Sequence, residues 1–156
     1  MLPAYHNKAI IILALAVLLP ALQACGGKKV YRSKCDGDKV YKRVGFTQLM
    51  DSLPLYDKQF VEVKGEYKEG KGQSALYNDS VFVDHSIGMA LWVDFSQQCP
   101  LYLDGTSEGF FDYSSTGQLT PINNKTIIMR GEINLRYKGS AGKYKGSIDH
   151  ISYISL

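Results

Sequence analysis

Reading the chain for hydrophobic and polar positions gives one unbroken apolar run, one helical period and several alternating stretches. Residues 9–19 are eleven consecutive apolar residues ended by Pro20. A membrane-spanning helix needs roughly 20 such residues and a secretory leader 7–15, so the run has leader length. Phe46, Leu49, Met50 and Leu53 fall at i, i+3, i+4 and i+7, which predicts a short amphipathic helix with Thr47 as its N-cap and Pro54 as its stop. In residues 60–67, Val61, Val63, Gly65 and Tyr67 share one face while Glu62, Lys64 and Glu66 share the other, the period of a half-buried strand.

The same pattern returns 66 residues later. Val61, Val63, Lys64, Gly65, Glu66 and Tyr67 correspond to Ile127, Met129, Arg130, Gly131, Glu132 and Ile133. A glycine on the core side of a strand marks a bulge or a place where another backbone crosses closely, so two of them predict a small sheet curling into a barrel. Residues 75–77 and 89–95 supply two more strands, and residues 145–156 the last, with a bulge where the step from Ile148 to Ile151 breaks alternation. Residues 96–125 read as irregular and residues 139–142 as a tight loop.

Composition agrees with this β-rich reading: 15 glycines, 11 tyrosines and 6 phenylalanines favour strands and turns. Only Lys8 among the 18 basic residues lies in the first 24, so the remaining chain carries 17 basic against 15 acidic residues, a balance of +2. That is too even for the concentrated basic face that nucleic-acid binding needs, and no nucleic-acid partner is expected.

After the apolar run comes Leu22-Gln23-Ala24-Cys25, which resembles the lipobox of bacterial lipoprotein precursors. The resemblance implies cleavage before Cys25 and acylation of that cysteine, whose thiol is nucleophilic enough to form a stable thioether. Two or more chains then anchor the protein to an envelope membrane. An ordinary secretory leader is the competing reading, although Leu22 is bulky for the −3 position of such a site. Gly26 stands where inner-membrane lipoproteins carry aspartate, which tilts the expectation to the outer membrane. Residues 1–24 are thus a signal peptide and residues 25–45 a flexible tether. The basic residues Lys28, Lys29, Arg32 and Lys34 are either a solvated part of that tether or contacts for anionic head groups. Cys35 and Cys99 remain as an even pair, either bridged or two separate thiols.

Residues 46–156 form the domain. Five strands with glycine kinks in the first and fourth resemble an OB-fold, so the expected class is all-β, a five-stranded OB-like Greek-key barrel with a short N-terminal helix. The run also looks like the OB-type domains of small uncharacterised envelope lipoproteins. It lacks their helix between the third and fourth strands.

Candidate chemistry is sparse. Gly105-Thr106-Ser107-Glu108-Gly109 matches the G-x-S-x-G nucleophile elbow, which works only as a strand–turn–helix element. His85 is a possible general base, but Asp84-His85 and Asp149-His150 lack metal-ligand spacing. No metal or cofactor is expected. The best binding candidates are Arg136, Tyr137 and Lys138 with Lys143 and Tyr144 around the last loop, together with Trp92, since aromatics beside cations suit sugars or anionic polymers. The same residues also read as a solvated hairpin with packed tyrosines. The sequence therefore favours a non-catalytic envelope lipoprotein that binds a protein partner or a glycan. The alternative is an envelope hydrolase using Ser107 or His85.

Overall fold

The computed structural model describes residues 27–35, 37–111 and 120–156, so the expected leader, residues 1–24, and Cys25 lie outside the described residues. Its strands are β1 (Val30–Ser33), β2 (Lys42–Val44), β3 (Phe60–Gly70), β4 (Gln73–Tyr77), β5 (Leu91–Val93), β6 (Leu101–Leu103), β7 (Lys125–Asn134) and β8 (Gly146–Ser155). One short helix, α1 (Phe46–Asp51), precedes β3.

Five strands close on themselves. β3 pairs antiparallel with β4 and with β7, β4 with β5, and β7 with β8, while the parallel pair of β5 with β8 completes the ring. The expected all-β class is present as a closed five-stranded barrel, with its short helix in front. Alternation puts Val61 and Val63 of β3, Ile127 and Met129 of β7, Leu91 and Val93 of β5, and Ile148 and Ile154 of β8 into one core. Each such side chain stabilises the fold by about 1.5–3 kcal/mol relative to exposure. Phe46, Leu49 and Met50 of α1 join the same core.

The two inward glycines do what their position predicted. A Cβ on Gly65 would strike the carbonyl oxygen of Tyr77, and one on Gly131 would lie 2.6 Å from the carbonyl oxygen of Asp149. The echo also acquires a geometric meaning, because the two matching strands are neighbours. Val61 faces Gly131 and Gly65 faces Ile127, so each glycine sits opposite the first apolar residue of the other copy. Opposite Gly131 the β8 strand carries extra residues between Asp149 and Tyr153, and His150 has a φ of 50°. The bulge is where the broken alternation put it, and it lets β8 coil over the glycine.

Other expectations are corrected. The helix starts at Phe46 with extended Gly45 in the N-cap position, and Thr47 lies inside the first turn, where its hydroxyl accepts from the Asn78 amide at 2.9 Å. Phe46, the first helical residue, is buried in the core, so the helix begins ahead of Thr47. Pro54 ends α1 but opens a 3-10 turn, Leu53–Tyr56, which keeps Leu53 buried. The expected strand over residues 89–95 shortens to β5, with a 3-10 turn at Ile87–Met89 before it. The stretch 96–125, read as irregular, contains β6.

The largest difference concerns residues 25–45, expected to be flexible tether. They contribute two strands. β4 leaves β3 free at its start, and β2 pairs there in parallel, Lys42 with Val61. β5 leaves the end of β8 free, and β1 pairs there, Val30 with Ser155. β6 then adds to the far side of β1. An unpaired strand edge is a template for pairing, and the chain's own preceding segment fills both edges. Strands of three or four residues carry too little alternation to be read in advance.

Candidate functional site

The structure brings together three of the residues singled out from sequence. Trp92 lies on β5, and the loop 135–145 folds back over it. Its ring meets Tyr137 at 6.3 Å and Tyr144 at 5.4 Å between centroids, both edge-on. Gly139, at a φ of 75°, carries the loop against the indole, where a Cβ would come within 2.7 Å of the Trp92 and Tyr144 rings. Tyr144 is 3% exposed and packs with Tyr77, Ala75 and Ala90 into a second small core. Burial, reinforced by neighbouring Tyr77, pushes its phenol up to about 12. Tyr137 remains 40% exposed. Arg136, Lys138 and Lys143 are exposed, with no ion pair among the described residues. Lys138 borders a groove of about 220 Å³ with Leu53, Pro54, Leu135 and Lys145. The aromatic members therefore form a closed layer over β4 and β5, with the cations standing around it.

Ser107 and His85 are not brought together. The G-x-S-x-G stretch is a tight turn after β6: Leu103 N–H donates to Glu108 and Phe110 N–H to Leu101, which folds the chain back antiparallel. A nucleophile elbow needs a strand of a large parallel sheet, and β6 is a three-residue antiparallel edge strand. His85 lies in the β4–β5 connection, where its Nε2 is 3.0 Å from the Asn78 carbonyl oxygen. Cys35 and Cys99 are joined as a disulfide across a separation of 64 residues, with Cα atoms 5.6 Å apart. The bridge fastens the chain after β1 to the chain before β6.

A second arrangement, missed in the sequence, runs across the outside of the barrel. Register places Arg43 of β2 beside Glu62 of β3, Glu62 beside Arg130 of β7, and Arg130 beside Tyr153 of β8. Tyr153 in turn stands beside Arg32 of β1, and Arg32 beside Tyr102 of β6. Six strands thus present one continuous cross-strand row. Glu62 is its pivot, with its side chain only 9% exposed. Oε1 accepts from Arg43 Nε at 2.7 Å and Oε2 from Arg130 Nε at 2.8 Å. Burial alone would push the Glu62 carboxyl up; the hydrogen bonds and charges of Arg130 and Arg43 outweigh it and hold the group below the ordinary carboxylate range.

The row continues by stacking. The Arg130 guanidinium lies 4.5 Å from the Tyr153 ring centre and 5.4 Å from that of Tyr41, and Arg32 lies 5.0 Å from Tyr153. Tyr41 is held by a 2.8 Å hydrogen bond to Ser152, and Arg32 by Asp104 at 3.3 Å. Lys39, Tyr41, Arg43, Glu62 and Arg130 line a groove of about 280 Å³. Glu62 and Arg130 were legible as outward positions of their strands. The signal that would have exposed the row is the pairing of β1 and β2, which no local pattern contains.

Among the described residues no helix is long and apolar enough to cross a membrane, and no group of three or more His, Cys, Asp or Glu is placed to hold a metal ion. Comparison with protein-family models, with curated proteins and with solved structures returns no match for the chain.

Proposed function

We propose that the protein is a lipoprotein of the cell envelope, anchored through acylated Cys25, whose barrel is a non-catalytic domain that binds a protein partner or a glycan. The observation that carries this reading is the order of the first 25 residues: a leader-length apolar run, then Leu22-Gln23-Ala24-Cys25. The bridge supports it. Of three cysteines, Cys35 and Cys99 are bonded to each other, a pairing that persists in oxidising compartments and leaves Cys25 as the one outside it. Gly26 in the following position favours the outer membrane.

Binding rather than catalysis is favoured by the separation of Ser107 from His85, against an outer face rich in stacked cations and rings. An OB-type barrel commonly binds oligosaccharides over its middle strands. Here that face is β4 and β5, already covered by Trp92 and the loop 135–145.

Labelling cells with a radioactive fatty acid and fractionating their membranes tests the anchor. The unaltered chain should carry label and sediment with membranes, while Cys25→Ala should lose the label and leave the membrane fraction. An unaltered chain that is unlabelled and soluble in the envelope space overturns the reading.

A further inference from the structure

We infer that the groove at Arg43, Glu62 and Arg130 is a binding site for a phosphomonoester group, carried either by a soluble sugar or by a lipid head group. This goes beyond the anchoring reading and does not depend on it. Its basis is charge and geometry. Lys39, Arg43 and Arg130 bring three positive charges to the groove against the single carboxylate of Glu62, a formal balance of +2. A phosphomonoester carries about −1.5 to −2 at neutral pH, so it matches that balance where a lone carboxylate would meet only half of it.

The two guanidinium groups are held in place for the task. Each donates its Nε to Glu62, which fixes the plane of the group and leaves the Nη donors uncommitted to that carboxylate. Arg130 is further packed against the rings of Tyr41 and Tyr153. A planar, preorganised fork of donors is the arrangement that recognises phosphate oxygens bidentately. Arg43, with its side chain 85% exposed, is accessible to an incoming anion, and Lys39 stands over the Phe60 ring at the same groove. The rings beside Lys39 and Arg130 give the body of the ligand an apolar surface to rest on. As a mere structural device the cluster is a poor choice, since a buried ion pair seldom stabilises more than apolar residues of like volume.

The test is a titration of the full chain in neutral detergent with inorganic phosphate and with glucose phosphate, followed by the Nε–H signals of Arg43 and Arg130. Both signals should shift with saturation. Arg43→Gln and Lys39→Gln, which alter exposed side chains and leave the fold intact, should each weaken binding roughly tenfold, the loss expected of one charge-assisted contact. Arg43→Lys, which keeps the charge but loses the planar fork, should also weaken binding several-fold, an outcome that a general attraction of the patch for anions would not give. Full-length Cys25→Ala with phosphatidylcholine vesicles then separates the sources. A preference for vesicles containing phosphatidic acid over those containing phosphatidylglycerol identifies a lipid phosphomonoester; saturation by glucose phosphate without that preference identifies a soluble sugar. Absence of saturable binding to any of these probes overturns the inference. So does binding that survives both substitutions, or equal binding to single-stranded DNA with steep loss in salt.

Discussion

The barrel carries two outward faces made of the same residue types, cations beside aromatic rings, and they behave in opposite ways. Over β4 and β5 the rings of Tyr77, Trp92 and Tyr144 turn inward on one another, Gly139 draws the loop tight against the indole, and the lysines are left outside. Across β2, β3, β7, β8 and β1 the rings stand between the cations, and a buried carboxylate holds two arginines in register. The first face is a small core with charges at its rim. The second is a charged groove with rings as its walls. Local clustering of Lys, Arg and Tyr says little about which of these forms. What decides is whether the cations are fixed by partners on neighbouring strands.

The disulfide is the sharpest way to separate the faces, because it fastens only the second. Replacing Cys35 and Cys99 by serine should cost about 4 kcal/mol of stability by denaturant unfolding, the effect of opening a loop of this length. Hydrogen exchange should rise in β1 and β6, while the Trp92 emission of the folded state stays unchanged. Next in size is Arg130→Ala. It leaves Glu62 half-paired and buried and should cost about 2–3 kcal/mol, whereas Arg43→Ala, removing a partner that is mostly solvated, should cost less than about 1 kcal/mol. Equal costs for the two would mean that the carboxylate is not the pivot described.

On the other face, Gly139→Ala should destabilise by about 2 kcal/mol and shift the Trp92 emission to the red. The new methyl group meets two rings, and the backbone there has a φ of 75°. The smallest effect is on acid stability. Glu62 has its folded pKa depressed, so its contribution is present above the unfolded value of about 4.3 and is lost as pH falls through the lower folded value. Glu62→Gln should therefore flatten the acid limb of the stability profile below that point and leave the neutral-to-alkaline slope unchanged. A limb as steep as that of the unaltered chain would show that other carboxylates dominate.

Much of the barrel could be read in advance because it depends on local period. Alternation in β3 and β7 and the break between Ile148 and Ile151 in β8 are properties of a few adjacent residues, and they gave the strands, the kinks and the bulge. Thr47 misled because a hydroxyl near a helix start is a good cap in general, while this helix starts two residues earlier, with Gly45 as its cap and Phe46 buried. Of the binding candidates, Trp92, Tyr137 and Tyr144 meet as expected of one surface, but packing consumes most of it. The row from Arg43 to Tyr102 escaped notice because its members lie 11 to 40 residues apart when ordered along the chain from Arg32 to Tyr153, or belong to strands of three or four residues.

By itself the sequence determined which segments can be strands, which face of each is apolar, and where a side chain cannot fit, since these follow from short-range alternation and from the absence of a Cβ. Only the tertiary structure decided which strand edges the segment 30–44 would fill, and hence that Arg43 and Arg130 would close on opposite oxygens of Glu62. Register between distant strands is set by the closing of the whole barrel, a property that no stretch of the chain holds alone.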